Sequence, residues 1–332
     1  MEVLLTGATG FVGRHAAHAL AARGHAVRCL VRPSTQAAGL ESAGFSVVRG
    51  QVLDQASLEA AVPGAEVVVH VAGLITARSF SEMRRVNEEG VTRLAVACAR
   101  APVPPRRFVL VSSLVAAGPS RGGRPVREED VPRPVSRYGL TKLLGERAAA
   151  RALPPSIPLT VIRPPAVYGP HDRGIFSFFE AASRGIRLRL GTRVRRISIV
   201  HGADLADALV RTAETGVAAG RTYFVADPQS HSLDDLLGRI AAAVGGRQLS
   251  LRVPEPLVRA AGALAEEVAR WRRQAPLFSR DKATEFLQDG WVCDPSRAVR
   301  ELGWRPARTL DEGLADTARW YREHGWLPCG AV

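Results

Sequence analysis

Thr6-Gly7-Ala8-Thr9-Gly10-Phe11-Val12-Gly13 joins an apolar run, Val3-Leu4-Leu5, to an apolar-periodic segment that reaches Ala22. The run reads as a short buried strand and the segment as a helix. Three glycines spaced GxxGxxG fall at the join. A side chain there would hold a pyrophosphate away from the backbone N–H groups and the positive end of the helix, so a dinucleotide-binding turn needs glycine. A glycine triplet alone is weak. Placed as the first strand-to-helix turn of an α/β pattern, it predicts dinucleotide binding, with a ligand-free tight turn as the alternative.

Working outward, the remaining apolar runs read as strands over 26–31, 46–49, 66–71, 107–113, 159–163 and 222–225. Helical periodicity covers 81–100, 138–151, 232–244, 255–273, 295–302 and 310–323, and a helix with Leu58, Ala61 and Val62 lies before the fourth strand. Near-continuous apolar strands alternating with helices suit a parallel sheet covered on both faces. Beyond Pro164 the pattern loosens. The expected division is a sheet domain over 1–164, with returning segments at about 201–227, and a smaller, mainly helical lobe from 165–200 and 228–332.

At 332 residues and 46% hydrophobic, the chain can bury a sizeable core. Its net charge of +13 invites a nucleic-acid or membrane partner. Arginine is scattered throughout, however, with no basic run interleaved with aromatics, so nucleic-acid binding is not expected. Of 45 basic residues only Lys142 and Lys282 are lysines; where arginine is the default choice, each lysine is informative. Cys29, Cys98, Cys293 and Cys329 form no CxxC pair. Buried free thiols, no metal site and a reducing, cytoplasmic location are expected. No signal peptide is expected ahead of the first strand, and no apolar run in the sequence is long enough to span a bilayer.

Tyr138-Gly139-Leu140-Thr141-Lys142 carries the second chemical signal. Residues four apart on a helix share a face. A phenol titrates near pH ~10 in water and is a poor base at neutral pH. A neighbouring ammonium lowers that value, which makes Tyr138 and Lys142 a candidate proton-transfer pair. The fifth strand ends in Ser112-Ser113, where open α/β sheets place their ligands. A Ser113 hydroxyl could donate to a substrate carbonyl there, or simply cap the strand.

With these residues in place, the chain resembles an extended short-chain dehydrogenase/reductase of the NAD-dependent epimerase/dehydratase superfamily. The matching pieces are TGATGFVG (6–13), HVAG (70–73), VNEEG (86–90), VSS (111–113), YGLTK (138–142), RPPAVYGP (163–170) and GWRPARTLDEGLADTARWY (303–321). The resemblance spans nearly the whole chain. It implies an α/β fold, a Rossmann-type doubly wound parallel sheet with a C-terminal substrate lobe. It implies a catalytic set of Ser113 to polarise a carbonyl, Tyr138 as general acid/base, and Lys142 to tune Tyr138 and hold the nicotinamide ribose. It implies cofactor contacts from Gly7, Thr9, Gly10, Phe11, Val12, Gly13, Gln51, Val52, Val71, Ala72, Gly73, Ser112 and Pro164. Asn87 matches the family's helix asparagine, structural or part of a proton relay.

Departures bear on the substrate. Nucleotide-sugar epimerases of this family usually carry Asn where this chain has Ala166, and Arg where it has Ile197, with Arg196 one place off. Both argue against a nucleotide sugar. Leu114 and Val115, together with Thr76, Ala166 and His171, are the expected substrate contacts, in an apolar pocket. The pattern is similar to the 3β-hydroxysteroid dehydrogenase and dihydroflavonol reductase-like branches, which act on a carbonyl or alcohol of a bulky apolar molecule. A sugar epimerase or dehydratase with tightly bound NAD is one alternative, and a non-catalytic NAD(P)-binding regulator another.

The cofactor can be argued from charge. An NAD site usually offers a carboxylate to the ribose diol at the end of the second strand. No acid occurs between Val3 and Leu40; Arg32 stands there, beside Ser34 and Thr35. An arginine fork suits a 2′-phosphate, so NADP is expected, with NAD as the alternative. The helix at 256–273 places Leu257, Ala261, Leu264, Val268 and Trp271 on one stripe, expected to pack on the lobe. A lid or a membrane-surface contact is the less favoured reading of it. A homodimer is left open.

Overall fold

Strand Glu2–Thr6 buries Val3, Leu4 and Leu5 completely, as the central strand of a sheet covered on both faces does. In the computed structural model, which describes residues 1–276 and 278–328, it pairs in parallel with Ala26–Val31 on one side and Val67–His70 on the other. From edge to edge the sheet runs Thr222–Phe224, Leu159–Arg163, Arg107–Val111, Val67–His70, Glu2–Thr6, Ala26–Val31, Ser46–Arg49, all parallel. Val3 and Leu5 face helices Phe11–Ala22 and Gly202–Glu214, in one cluster with Leu20 and Leu209. Leu4 faces the opposite layer with Leu58, Leu94 and Phe108. The strand order reverses at Glu2–Thr6, and Thr6 is level with His70 in the pairing register. The carboxyl ends beside this switch are where a doubly wound sheet opens a crevice.

The expected helix over 81–100 is three pieces: Phe80–Arg84, a π-helical turn Arg85–Glu89, and Gly90–Arg100. A π turn is invisible to a 3.6-residue period. It holds Asn87 inward, where Nδ2 donates to the Leu74 carbonyl (2.8 Å) and Thr141 Oγ1 (3.0 Å), and Oδ1 accepts from Leu74 N (2.8 Å). Asn87 therefore ties the loop after strand Val67–His70 to helix Arg137–Ala152, a structural role.

The later part of the chain forms small sheets, Ala166–Tyr168 with Ile199–His201 and Ile186–Leu190 with Leu249–Val253. They accompany a separate core around Phe179, Ile240, Leu314 and Tyr321. Thr222–Phe224 returns to the main sheet. One segment departs from the expected division: Ala298, Leu302 and Trp304 pack into the sheet-side cluster, and the Trp304 indole donates to the Asp204 carbonyl (2.9 Å). The expected packing of 256–273 is also corrected. Helix Glu255–Trp271 buries Val258 and Gly262 and leaves Leu257, Leu264, Val268 and Trp271 exposed. Cys29, Cys98 and Cys293 are buried free thiols; Cys329 lies outside the described residues. No helix of the described residues is long and apolar enough to cross a membrane.

Candidate active site

The glycine turn is shaped first by the chain's own backbone. Gly7 has φ +79°, and a Cβ on it would lie 2.7 Å from Ala72 N. A Cβ on Gly13 would lie 2.0 Å from the Gly7 carbonyl oxygen. Only Gly10, whose nearest neighbour would be that oxygen at 3.3 Å, fits the expectation of a glycine kept bare for a ligand. Gly10 is the N-cap of helix Phe11–Ala22, with no side-chain cap and no acid in the first turn. An uncapped N-terminus beside exposed Thr9 and Gly10 fits a pyrophosphate. Phe11 turns inward onto His15, ring centroids 5.3 Å apart, and Val12 packs on the core, so both offer backbone rather than side chain.

Around this turn, Ala72 N donates to Thr6 Oγ1 (3.2 Å), which holds Val71–Gly73 beside it. A Cβ on Gly73 would lie 3.6 Å from Lys142 Nζ, so this stretch leads from the glycine turn to the second motif. Arg32 is exposed just past Val31, in a turn closed by Thr35 N to its carbonyl (2.9 Å). It makes no ion pair among the described residues. Gln51 is exposed, its N–H on Ser57 Oγ (3.1 Å), while Val52 packs against Gly90. The Pro164 carbonyl accepts from Leu114 N (2.8 Å) and fixes the turn carrying Ser113.

Ser113 caps the short helix Leu114–Ala117, accepting from Val115 N (3.4 Å), and its side chain lies near enough to the Tyr138 phenol to act on its pKa. Burial pushes that phenol above its ordinary pKa, the Glu285 carboxylate pushes further, and the Ser113 side chain opposes them. The expected lowering by Lys142 is not what the geometry produces. Lys142 Nζ donates instead to the Val111 carbonyl (2.7 Å). Its own pKa falls to about 8 through burial, with Glu146 opposing. Ser112, expected at the cofactor, turns its hydroxyl onto buried Glu146. Glu146 also takes a bidentate bond from buried Arg163, Nε at 2.9 Å and Nη2 at 2.6 Å.

Helix Arg137–Ala152 starts under two caps. Ser136 Oγ accepts from Gly139 N (3.0 Å), and the Asp281 carboxylate accepts from Arg137 N (2.8 Å) and Tyr138 N (3.4 Å). Asp281 thereby brings helix Arg280–Phe286 over the site, where Lys282 pairs with buried Glu285 (2.8 Å). Between this helix and the segment at 75–85, a loop running into helix Phe80–Arg84, lies a cavity of about 900 Å³ reaching Tyr138. Thr76 lines it, as expected. Its lining is not apolar: Arg85, Arg137 and Arg273 join Ile75, Phe80 and Met83, and none of these three arginines forms an ion pair among the described residues.

The other expected substrate contacts lie elsewhere. Leu114 is buried against Val126, Phe224 and Cys293, because the helix it begins turns it into the core. The Val115 carbonyl packs on Gly139. Ala166 is exposed on its strand, outside the cavity lining. His171, at φ 74°, lies 4.3 Å from the Trp320 ring, and burial lowers its pKa to about 4. Arg196 bonds Ser230, and Ile197 packs on the lobe core.

Glu146, Arg163, Asp281, Lys282 and Glu285 were not read from the sequence as site residues. Two of them had a signal. Glu146 repeats the four-residue spacing of Tyr138 and Lys142 on one helix face, and Lys282 is the second of two lysines in an arginine-rich chain. No group of three or more metal-ligating side chains occurs among the described residues.

Comparison with known proteins gives this geometry a context. The model of the NAD dependent epimerase/dehydratase family matches residues 3–226. A ceramide reductase of Caulobacter vibrioides is 34% identical over 330 residues, 99% of this chain and 97% of that protein. A UDP-glucose 4-epimerase of Vibrio cholerae is 28% identical over 328 residues, 96% of this chain and 94% of its own. In fold, the crystal structure of a UDP-glucose 4-epimerase from Thermotoga maritima with UDP-glucose is similar at a TM-score of 0.79 and 20% identity, covering 98% and 99% of the two chains.

Proposed function

The chain belongs to the NAD dependent epimerase/dehydratase family and is an NAD(P)-dependent oxidoreductase; within that family we propose that it reduces a ketone on a bulky, largely apolar, lipid-like molecule. The observation that carries the reading is the Tyr138 phenol at the wall of the cavity, beside Ser113, with its pKa raised further by burial and Glu285. A protonated donor suits reduction, in which the carbonyl oxygen must gain a proton. The similarity to a ceramide reductase over nearly the whole chain supports a lipid-like substrate.

In this reading the uncapped turn at Gly10 binds the pyrophosphate, and Gly73 and Lys142 face the nicotinamide ribose. When bound, the reduced nicotinamide supplies the hydride that the carbonyl carbon accepts. Ser113 donates a hydrogen bond to the carbonyl oxygen and draws charge onto it. Tyr138 transfers its proton to that oxygen as the alcohol forms. Lys142, buried and cationic below about pH 8, holds the nicotinamide ribose, its Nζ fixed by the Val111 carbonyl. The direct test follows NADPH oxidation with long-chain 3-keto amides and, separately with NAD, the conversion of UDP-glucose to its C4 epimer. Turnover of a keto amide supports the reading. Epimerisation of UDP-glucose in its place favours the sugar epimerase alternative.

The same reading assigns NADP as the preferred cofactor, because Arg32 is exposed and uncommitted at the end of the second strand. NADPH is expected to bind more tightly than NADH. Arg32→Ala should weaken NADPH by about 1–3 kcal/mol, the range of a charged hydrogen bond, and NADH little. Titration of both cofactors into both proteins checks this; equal affinities in the wild type overturn it.

A further inference from the structure

Helix Glu255–Trp271 presents two unlike faces. One packs on helix Arg280–Phe286 so closely that a Cβ on Gly262 would lie 2.8 Å from the Ser279 carbonyl oxygen. At its C-terminal end Glu266, Arg270 and the following Arg273 line the cavity. The other face carries Leu257, Leu264, Val268 and Trp271, which are 59%, 68%, 40% and 83% exposed. Their intervals of seven, four and three residues place them on one stripe. Glu266 and Glu267 both pair with Arg270, at 4.0 and 2.7 Å, and Glu267 pairs also with Arg280 at 3.8 Å. Arg272 and Arg273 follow Trp271, exposed and without ion pairs among the described residues.

We propose that this stripe docks on an anionic phospholipid surface, so that the cavity behind the helix opens at the lipid–water boundary. Leucine and valine ending in tryptophan, with arginines beyond, is the composition of a helix lying in a membrane interface. The chain's net charge of +13 favours an anionic surface over a neutral one. A second copy of the chain fits less well. The four side chains expose on the order of 500 Å², short of the roughly 800 Å² per partner of a stable interface. The inference deepens the reading of a lipid-like substrate and rests on it only for its purpose; vesicle binding is measured without substrate.

The test is co-sedimentation with vesicles of phosphatidylcholine alone and of equal parts phosphatidylcholine and phosphatidylglycerol, at about 0.05 M and about 0.5 M salt. Wild type is expected to sediment with the anionic vesicles at low salt and less at high salt, with a blue shift of tryptophan emission that Trp271→Phe diminishes. L264E/V268E, substituted at exposed positions, should partition at least about tenfold less. It should keep its melting temperature and its turnover of a short, water-soluble ketone. Wild type remaining in the supernatant with both vesicles overturns the proposal, as does sedimentation of L264E/V268E equal to wild type. A wild-type dimer that L264E/V268E converts to monomer also overturns it, assigning the stripe to a second copy. Vesicle binding with no ketone turned over by the wild type would instead fail the functional reading and leave the docking surface standing.

Discussion

Tyr138→Phe is expected to lower turnover by about 10²–10⁴-fold, the usual worth of general acid–base catalysis, with cofactor affinity unchanged. Phenylalanine keeps the ring and removes only the hydroxyl, which stands near Ser113 at the cavity wall. Burial and Glu285 hold that hydroxyl protonated, so the loss is of a proton donor. Lys142 variants should behave differently. Lys142→Ala should weaken cofactor binding as well as turnover. Lys142→Arg should be worse than its retained charge suggests, because the space between the Val111 carbonyl and Gly73 admits a compact ammonium and not a planar fork. In the wild type, cofactor affinity should fall as pH rises through about 8, where the Lys142 ammonium is lost. Turnover and cofactor titrations across pH on the wild type and three variants check these outcomes. Near-wild-type turnover by Tyr138→Phe would sink the mechanism and leave an enzyme whose proton donor is another group.

The second large effect is one of stability. Glu146→Gln should cost about 3–5 kcal/mol, because it leaves Arg163 a buried cation without a counter-charge. The pair is closed from water, with side chains 8% and 6% exposed. Glu146 also anchors the Ser112 hydroxyl, so one substitution disturbs the end of the fifth strand and the helix carrying Tyr138 together. Urea unfolding measures the loss as a lower midpoint at unchanged slope. Glu146→Leu combined with Arg163→Met should recover most of it, since replacing both charges leaves none unpaired. A second readout separates this from simple destabilisation. The Glu146 carboxylate raises the Lys142 pKa against burial, so its removal should shift the alkaline loss of cofactor affinity to lower pH. A Glu146→Gln protein as stable as the wild type overturns the assignment.

The alternation of apolar strands with helices determined the parallel sheet from sequence alone, because a strand covered on both faces must be apolar along its buried run, as Val67-Val68-Val69 is. The glycine turn was legible for a related reason: few sequences satisfy both the φ of Gly7 and the contact at Gly13. Tyr138 and Lys142 were legible because helix spacing fixes which residues share a face. What they do to each other was not. Whether Lys142 lowers the Tyr138 pKa depends on where its Nζ points, and the Val111 carbonyl, 31 residues earlier in the chain, decides that. The substrate cavity was unreadable for the same reason. Its walls come from residues 75–85, 137–138 and 266–285, which no local pattern joins. Leu114, apolar and next to Ser113, is drawn into the core instead. The stripe on helix Glu255–Trp271 shows the limit most directly: periodicity determines that four apolar side chains share a face, and only the packing of Gly262 against Ser279 decides that this face is turned outward.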